Sequence, residues 1–179
     1  MKNNYIIERL SDNNFNDLAV IYDSAFGYVP NMSQLKKKFD TSWCSEKNVG
    51  FIAYSKENEP AAFYGVFPCV LNKNGKKSLT AQSGDVMTHK NHQRKGLFSL
   101  LANKTEILCK DLGIEVLFAF PNQNSYPIFI NRLNWQLEND VICYRIDCSP
   151  FKLANRSFNF FNSKYSILKF KKLISPLLY

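Results

Sequence analysis

The chain has 179 residues, 45% of them apolar and 21% charged, with a net charge of +8; this is the length and composition of one ordinary globular domain. A chain this long buries a core without staples, which excludes intrinsic disorder, a collagen-like fibre and a disulfide scaffold. Six basic residues (Lys152, Arg156, Lys164, Lys169, Lys171 and Lys172) and no acidic one follow Asp147, so the body is nearly neutral and does not read as a nucleic-acid-binding domain.

Residues 5–10 (YIIERL) form a predicted short strand, and Ser11-Asp12 after it is an expected helix cap. Phe15, Leu18, Ala19, Tyr22 and Phe26 then recur at spacings of three and four, the mark of an amphipathic helix, which Gly27 and Pro30 stop. Ser33 is expected to cap a second helix through Leu35, Phe39 and Trp43. The period then changes. Residues 49–54 and 61–71 are rich in β-branched and aromatic side chains and are separated by Lys56-Glu57-Asn58-Glu59-Pro60, a hairpin pattern. Asn72-Lys73-Asn74-Gly75 is a second turn signal, and residues 79–88 make the next strand.

A basic loop follows, His89-Lys90-Asn91-His92-Gln93-Arg94-Lys95-Gly96, and opens a strongly periodic helix at Leu97, Leu100, Leu101, Lys104, Leu108 and Leu112, closed by Gly113. Residues 115–120 (EVLFAF) read as a strand buried on both faces. Pro121 breaks it, a short helix is expected over residues 125–133, and residues 141–146 are the last expected strand. Beyond Pro150, Phe158, Phe161, Tyr165 and Leu168 fall at helical spacing among lysines. This predicts a domain over residues 1–150 and a basic, aromatic tail over 151–179. The tail has three readings: packing back on the domain or on a second subunit, as in a homodimer; lying on an anionic membrane surface through residues 152–172; or opening a second domain.

No apolar run approaches the about 18 residues of a membrane-spanning helix. The first residues, Met1-Lys2-Asn3-Asn4-Tyr5, lack an apolar signal core, so a cytoplasmic protein is expected. The five cysteines show no C-x-x-C pair and read as reduced thiols. With two histidines, neither near a cysteine pair, no metal site is expected.

The most informative stretch is the junction from the strand at 79–88 into the helix at Leu97. A strand that runs through a glycine-containing loop into a helix presents several unpaired backbone N–H groups in one direction. The positive end of the helix dipole adds to them, which suits a phosphate or pyrophosphate. Gly96 lets backbone approach the ligand closely, and Arg94 and Lys95 add charge. The alternative is a helix that begins after a basic turn and binds nothing.

Gln93-Arg94-Lys95-Gly96-Leu97-Phe98 resembles the Q/R-x-x-G-x-G/A signature of the GNAT superfamily of acyl-CoA-dependent N-acetyltransferases. The order of elements over roughly residues 3–148 is similar to the GNAT order. Phe120-Pro121-Asn122-Gln123-Asn124-Ser125-Tyr126 with Arg132-Leu133-Asn134-Trp135 resembles the superfamily's strand, helix and "LGF" tail. Its wording is closest to GNAT-like proteins linked to surface-polysaccharide assembly.

The resemblance implies an α+β fold, a mixed and mostly antiparallel sheet with helices on both faces and a splayed central strand pair. It implies acetyl-CoA as cosubstrate, with the backbone amides of Arg94, Lys95, Gly96, Leu97 and Phe98 around its pyrophosphate and Gln93 opening the signature. Val86, Met87 and Thr88 would pair with the pantetheine arm, and Asn122 or Asn124 would bond its far part. Phe26 and Tyr28 would face a small amine acceptor, such as an amino sugar.

Three positions depart from the pattern. Phe98 stands where Gly or Ala is usual, Asn134 replaces the "LGF" glycine, and Ile130 falls near the usual tyrosine acid, with Tyr126 one helical turn earlier. Asp85, in an otherwise uncharged strand, is the candidate base; the other reading pairs it with a lysine or with solvent. Tyr126 either protonates the leaving thiolate or packs. Glu106 and Glu115 read as surface groups, and His89 and His92 as solvated loop residues. A second functional reading is a non-catalytic GNAT-like module that holds CoA, or nothing, and acts through its basic tail.

Overall fold

Along the second strand the side chains alternate between two apolar clusters. Ile52 and Tyr54 join Phe15, Leu18, Ile21, Leu35 and Phe39 on one face, while Ala53 joins Leu97, Leu101, Ile114 and Trp135 on the other. A period of two in the strand thus divides the core between helices that carry a period of 3.6. The computed structural model describes residues 5–140 and, beyond them, the strand segments Cys143–Arg145, Phe161–Ser163 and Ile167–Lys172.

The elements run β1 (Ile6–Arg9), α1 (Phe15–Phe26), α2 (Met32–Phe39), β2 (Gly50–Tyr54), β3 (Pro60–Lys73) and β4 (Lys76–Thr88), then α3 (Leu97–Asp111), β5 (Val116–Ala119), α4 (Tyr126–Asn131), β6 (Gln136–Asp140), β7 (Cys143–Arg145), β8 (Phe161–Ser163) and β9 (Ile167–Lys172). One sheet has the order β1-β2-β3-β4-β5-β9-β6, and β7 pairs with β8 in a second. Among the described residues only β4 and β5 are parallel, and every other pair is antiparallel. The fold is the expected mixed, mostly antiparallel sheet with helices on both faces.

The helix ends show what the periodicity left open. Asn14, not Ser11 or Asp12, precedes α1; its Oδ1 accepts from Ser11 N at 2.8 Å and its Nδ2 donates to Arg9 O at 3.0 Å. Asn31, not Ser33, caps α2, with Oδ1 accepting from the N–H groups of Ser33 and Gln34. That helix stops at Phe39. Asp40 accepts from Ser42 N and Ser42 Oγ, and Trp43 lies outside the core, 70% exposed. A short carboxylate that bonds the backbone two residues on favours a turn over another helical turn.

The helical spacing read in the tail is overturned where the tail is described. Phe161–Ser163 and Ile167–Lys172 are strands. β9 lies between β5 and β6, with Val116 opposite Lys172, Ala119 opposite Lys169 and Gln136 opposite Phe170. The free edge of β5 offers backbone donors and acceptors, and Lys169, Phe170 and Lys171 also alternate with a period of two; ladder pairing overrides the helical spacing. Residues 151–160, 164–166 and 173–179, and most of the side chains behind the membrane-surface reading, lie outside the described residues. Of the strand expected at 141–146, residues 143–145 pair with β8.

Candidate active site

β4 pairs with β3 along nearly its whole length but with β5 only from Thr80 to Ser83, which face Val116 to Ala119. From Gly84 to Thr88 its second edge carries no strand among the described residues. Two parallel neighbours therefore part after Ser83 and Ala119, and Val86, Met87 and Thr88 lie along the open edge.

Within that open stretch β4 carries a bulge. Phe63 faces Met87 and Gly65 faces Gly84, so Tyr64 alone stands opposite both Asp85 and Val86. An extra residue in one strand bends it and re-aims a side chain. Here that residue is Asp85, with φ +54°, a conformation that aspartate tolerates better than most residues. Gly84 beside it has a steric reason: a Cβ there would stand 2.7 Å from the Phe67 ring.

Asp85 is mostly buried. Its carboxylate accepts from the hydroxyl of Tyr22 on α1 and pairs with the Nζ of Lys38 on α2. Lys38 Nζ also lies 3.4 Å from the Tyr22 hydroxyl and 5.4 Å from the centre of the Phe67 ring. Burial above all, and then the bond to the negative Asp85, pushes the Tyr22 hydroxyl well above the ordinary tyrosine range, so it remains a donor at any physiological pH. The sequence offers Asp85 as a candidate base or as a carboxylate paired with a lysine or with solvent, and the structure gives it a lysine partner, Lys38.

The aromatic residues assigned to the acceptor side sit next to this cluster. Phe26 and Tyr28 are half-exposed, stack on each other with centroids 6.3 Å apart, and both pack against the Tyr22 ring. A groove of about 400 Å3 is lined by Lys38, Asp40, Trp43, Phe67 and Gln82 among others. Lys38 and Phe67 join the groove to Asp85.

At the far end of β4 the chain makes a turn of 3₁₀ helix, Lys90–His92, then the loop into α3. Arg94 (φ +60°) and Gly96 (φ +78°) are both left-handed. Among the described residues, the first N–H leading into α3 to reach a carbonyl outside that helix is that of Leu100, which bonds Gly96 O at 3.2 Å. Among the described residues no backbone carbonyl is within hydrogen-bonding geometry of the amides of Arg94, Gly96, Leu97 and Phe98, while Lys95 closes the turn over residues 93–94. Gln93, Arg94, Lys95 and Gly96 are exposed, and a Cβ at Gly96 would meet no atom within 4 Å. This open cradle of donors at a helix N-terminus, continuous with a free strand edge, fits a pyrophosphate followed by an amide-bearing arm.

Phe98 turns its bulk away from this cradle. Its ring packs edge-on against Tyr64 and Phe129, at 5.6 and 5.4 Å between centroids. Asn134 takes φ +53°, the left-handed conformation of the glycine it replaces. Tyr126 is the first residue of α4, seven residues beyond the end of β5, and Ile130 lies one turn later; Asp85 lies on β4 and Tyr126 on the helix that follows β5. Asn122 is committed to the turn before α4. Its Oδ1 accepts from Asn124 N and Ser125 N, both at 3.0 Å, while Asn124 is exposed.

Two residues read as surface groups are buried. Glu106 on α3 accepts from Trp135 Nε1 at 3.2 Å and is 8% exposed. His92 is 7% exposed; its Nδ1 meets the Tyr5 hydroxyl at 3.0 Å and its Nε2 lies 3.7 Å from Glu59. Burial first, then the nearby charges of Lys95 and His89, holds its pKa below the ordinary histidine value against the opposing pull of Glu59. The local sequence carries no signal for either burial, because their partners lie 29 and 87 residues away. Cys44, Cys69 and Cys109 are free thiols. Among the described residues no cluster of three or more His, Cys, Asp and Glu could hold a metal ion, and no helix is long and apolar enough to cross a membrane.

Comparison with known proteins agrees with this geometry. A search of curated protein sequences finds no match. Among solved structures, Arabidopsis thaliana Naa50 in complex with the bisubstrate analogue CoA-Ac-MVNAL is similar at a TM-score of 0.65 and 11% identity, covering 95% of this chain and 99% of that one. The GNAT family N-acetyltransferase YhbS of Escherichia coli, in complex with CoA, is similar at 0.64 and 11%, covering 96% and 82%. A Pyrococcus horikoshii protein matches at 0.63 and 15%, and the chain spans 48% of its length. At such identities the likeness is one of fold. The family itself is shown by sequence: residues 7–137 match the acetyltransferase (GNAT) domain, and the chain belongs to that family of acyltransferases.

Proposed function

We propose that the chain transfers an acetyl group from acetyl-CoA to a primary amine by direct attack. The observation that carries this reading is the edge of β4 beyond Ser83, unpaired among the described residues, leading to an exposed, left-handed loop and the start of α3. Arg94, Lys95, Gly96, Leu97 and Phe98 would hold the pyrophosphate, Val86, Met87 and Thr88 the pantetheine arm, with Gln93 at the loop's mouth and Asn122 or Asn124 beside the far part of the arm. Acetyl-CoA supplies the activated acyl group.

The chain's own groups then have limited work. Asp85 accepts the proton that the attacking amine must lose, and Tyr22 holds its carboxylate in place. Tyr126, across the opening, donates to the departing sulfur. Phe26 and Tyr28 form a wall beside the incoming amine. Trp43 offers a flat apolar face, and Asp40 and Gln82 offer hydrogen-bonding groups in the same groove. An indole beside polar side chains suits a sugar ring, which supports an amino sugar as acceptor.

The test is release of free CoA thiol from acetyl-CoA in the presence of primary amines, amino sugars included. Acceptor-dependent release that falls in Asp85→Asn supports the reading. Acetyl-CoA binding without release by any amine contradicts it.

A further inference from the structure

The amine nearest to the proposed base is already part of the chain. Lys38 Nζ pairs with the Asp85 carboxylate and stands 3.4 Å from the Tyr22 hydroxyl, and Lys38 also lines the groove beside α2. The neighbouring lysines of α2 are placed differently: Lys36 lies over the Phe15 ring, and Lys37 lines the groove. Among the described residues, the other lysine–carboxylate pair, Lys47 with Asp12, is exposed on both sides. Lys38 is the one lysine whose amine meets a carboxylate inside the site. Its own side chain is 45% exposed, so the amine is reachable from solvent while it pairs with the proposed base.

We infer that Lys38 is an acceptor of this enzyme, a site of self-acetylation that rests on the acetyl-transfer reading above. One proton of the Nζ ammonium passes to Asp85 and on to solvent. The freed lone pair attacks the acetyl carbonyl carbon, the C–N bond forms as the C–S bond breaks, and a second proton reaches the leaving sulfur. The products are the Lys38 amide and CoA thiol. The acetylated side chain carries no charge, so it no longer competes with an external amine for Asp85.

The full chain is incubated with acetyl-CoA and no other acceptor, at two protein concentrations, and its peptides are weighed for one added acetyl group. Lys38 is expected to gain it on the order of 10²-fold faster than exposed Lys56, the scale of a general base's contribution. The rate should not depend on protein concentration and should fall toward that of Lys56 in Asp85→Asn. Lys38→Arg keeps the positive charge and should fold normally without label at position 38.

A second readout needs no turnover: CoA alone should slow the reaction of Lys38 with an amine-specific reagent relative to Lys56. Equal labelling of Lys38 and Lys56, or no effect of Asp85→Asn or of CoA, overturns the inference if calorimetry shows that acetyl-CoA binds. Absence of acetyl-CoA binding overturns the acetyl-transfer reading and this inference together.

Discussion

The hydroxyl of Tyr22 in α1 donates to the carboxylate of Asp85 in β4, tying the first helix to the one residue of that strand with a left-handed backbone. The bond joins positions 63 residues apart and depends on α1 packing over the bulge. It makes Asp85 a fixed group at the edge of the strand opening rather than a mobile surface carboxylate. A held carboxylate beside a site for an amine is the arrangement proton removal requires.

Asp85→Asn keeps a side chain that tolerates φ +54°, so the bulge should survive. Turnover with an amine acceptor should fall by about 10²-fold or more, while calorimetric affinity for acetyl-CoA stays unchanged. Equal loss of both would mean that Asp85 shapes the site without taking the proton.

Phe98→Ala restores the small residue usual at the sixth position of the signature. The ring packs on Tyr64 and Phe129 but is only partly buried, so the loss should be about 2–3 kcal/mol, below that of a fully buried ring. Chemical denaturation measures it. No gain in acetyl-CoA affinity is expected, because the ring already points away from the loop.

Glu106→Leu leaves the Trp135 N–H buried without an acceptor and should cost about 1–3 kcal/mol. Glu106→Gln keeps an acceptor oxygen and should cost less than about 1 kcal/mol. Denaturant midpoints of the two variants distinguish a hydrogen-bonding role from mere filling of space.

His92 gives a pH dependence of known sign. Its pKa is lowered in the folded protein, so the unfolded chain takes up its proton first as pH falls. The stability it confers is present above about pH 6.5 and is lost progressively as the pH falls below that value. The fall in Tm between about pH 7 and about pH 5 should be smaller in His92→Gln than in the native protein; equal falls would assign the effect to other groups.

Much of this was legible in the sequence because it is local. Spacing placed α1, α3 and the β3–β4 hairpin, and the glycine before Leu97 marked the loop whose amides point outward. What escaped depends on distant partners. The tail's helical spacing gave way to the free edge of β5, Trp43 was released by the turn at Asp40, and Glu106 and His92 are buried against residues from other elements. The Lys38–Asp85 pair needed α2 laid across the sheet. Asp85 itself was visible as the lone charge in an otherwise uncharged strand, but its bulge was not.

The most direct test of the account is calorimetric titration of acetyl-CoA into the native protein and into Gly96→Glu. Gly96 has φ +78°, at the mouth of the cradle, and a glutamate there sets a carboxylate against the pyrophosphate while straining a left-handed position by roughly 1–2 kcal/mol. The account predicts micromolar binding to the native protein and none to the variant, with the variant's folded state confirmed by its thermal transition. Binding of equal affinity to both, or to neither, would contradict it.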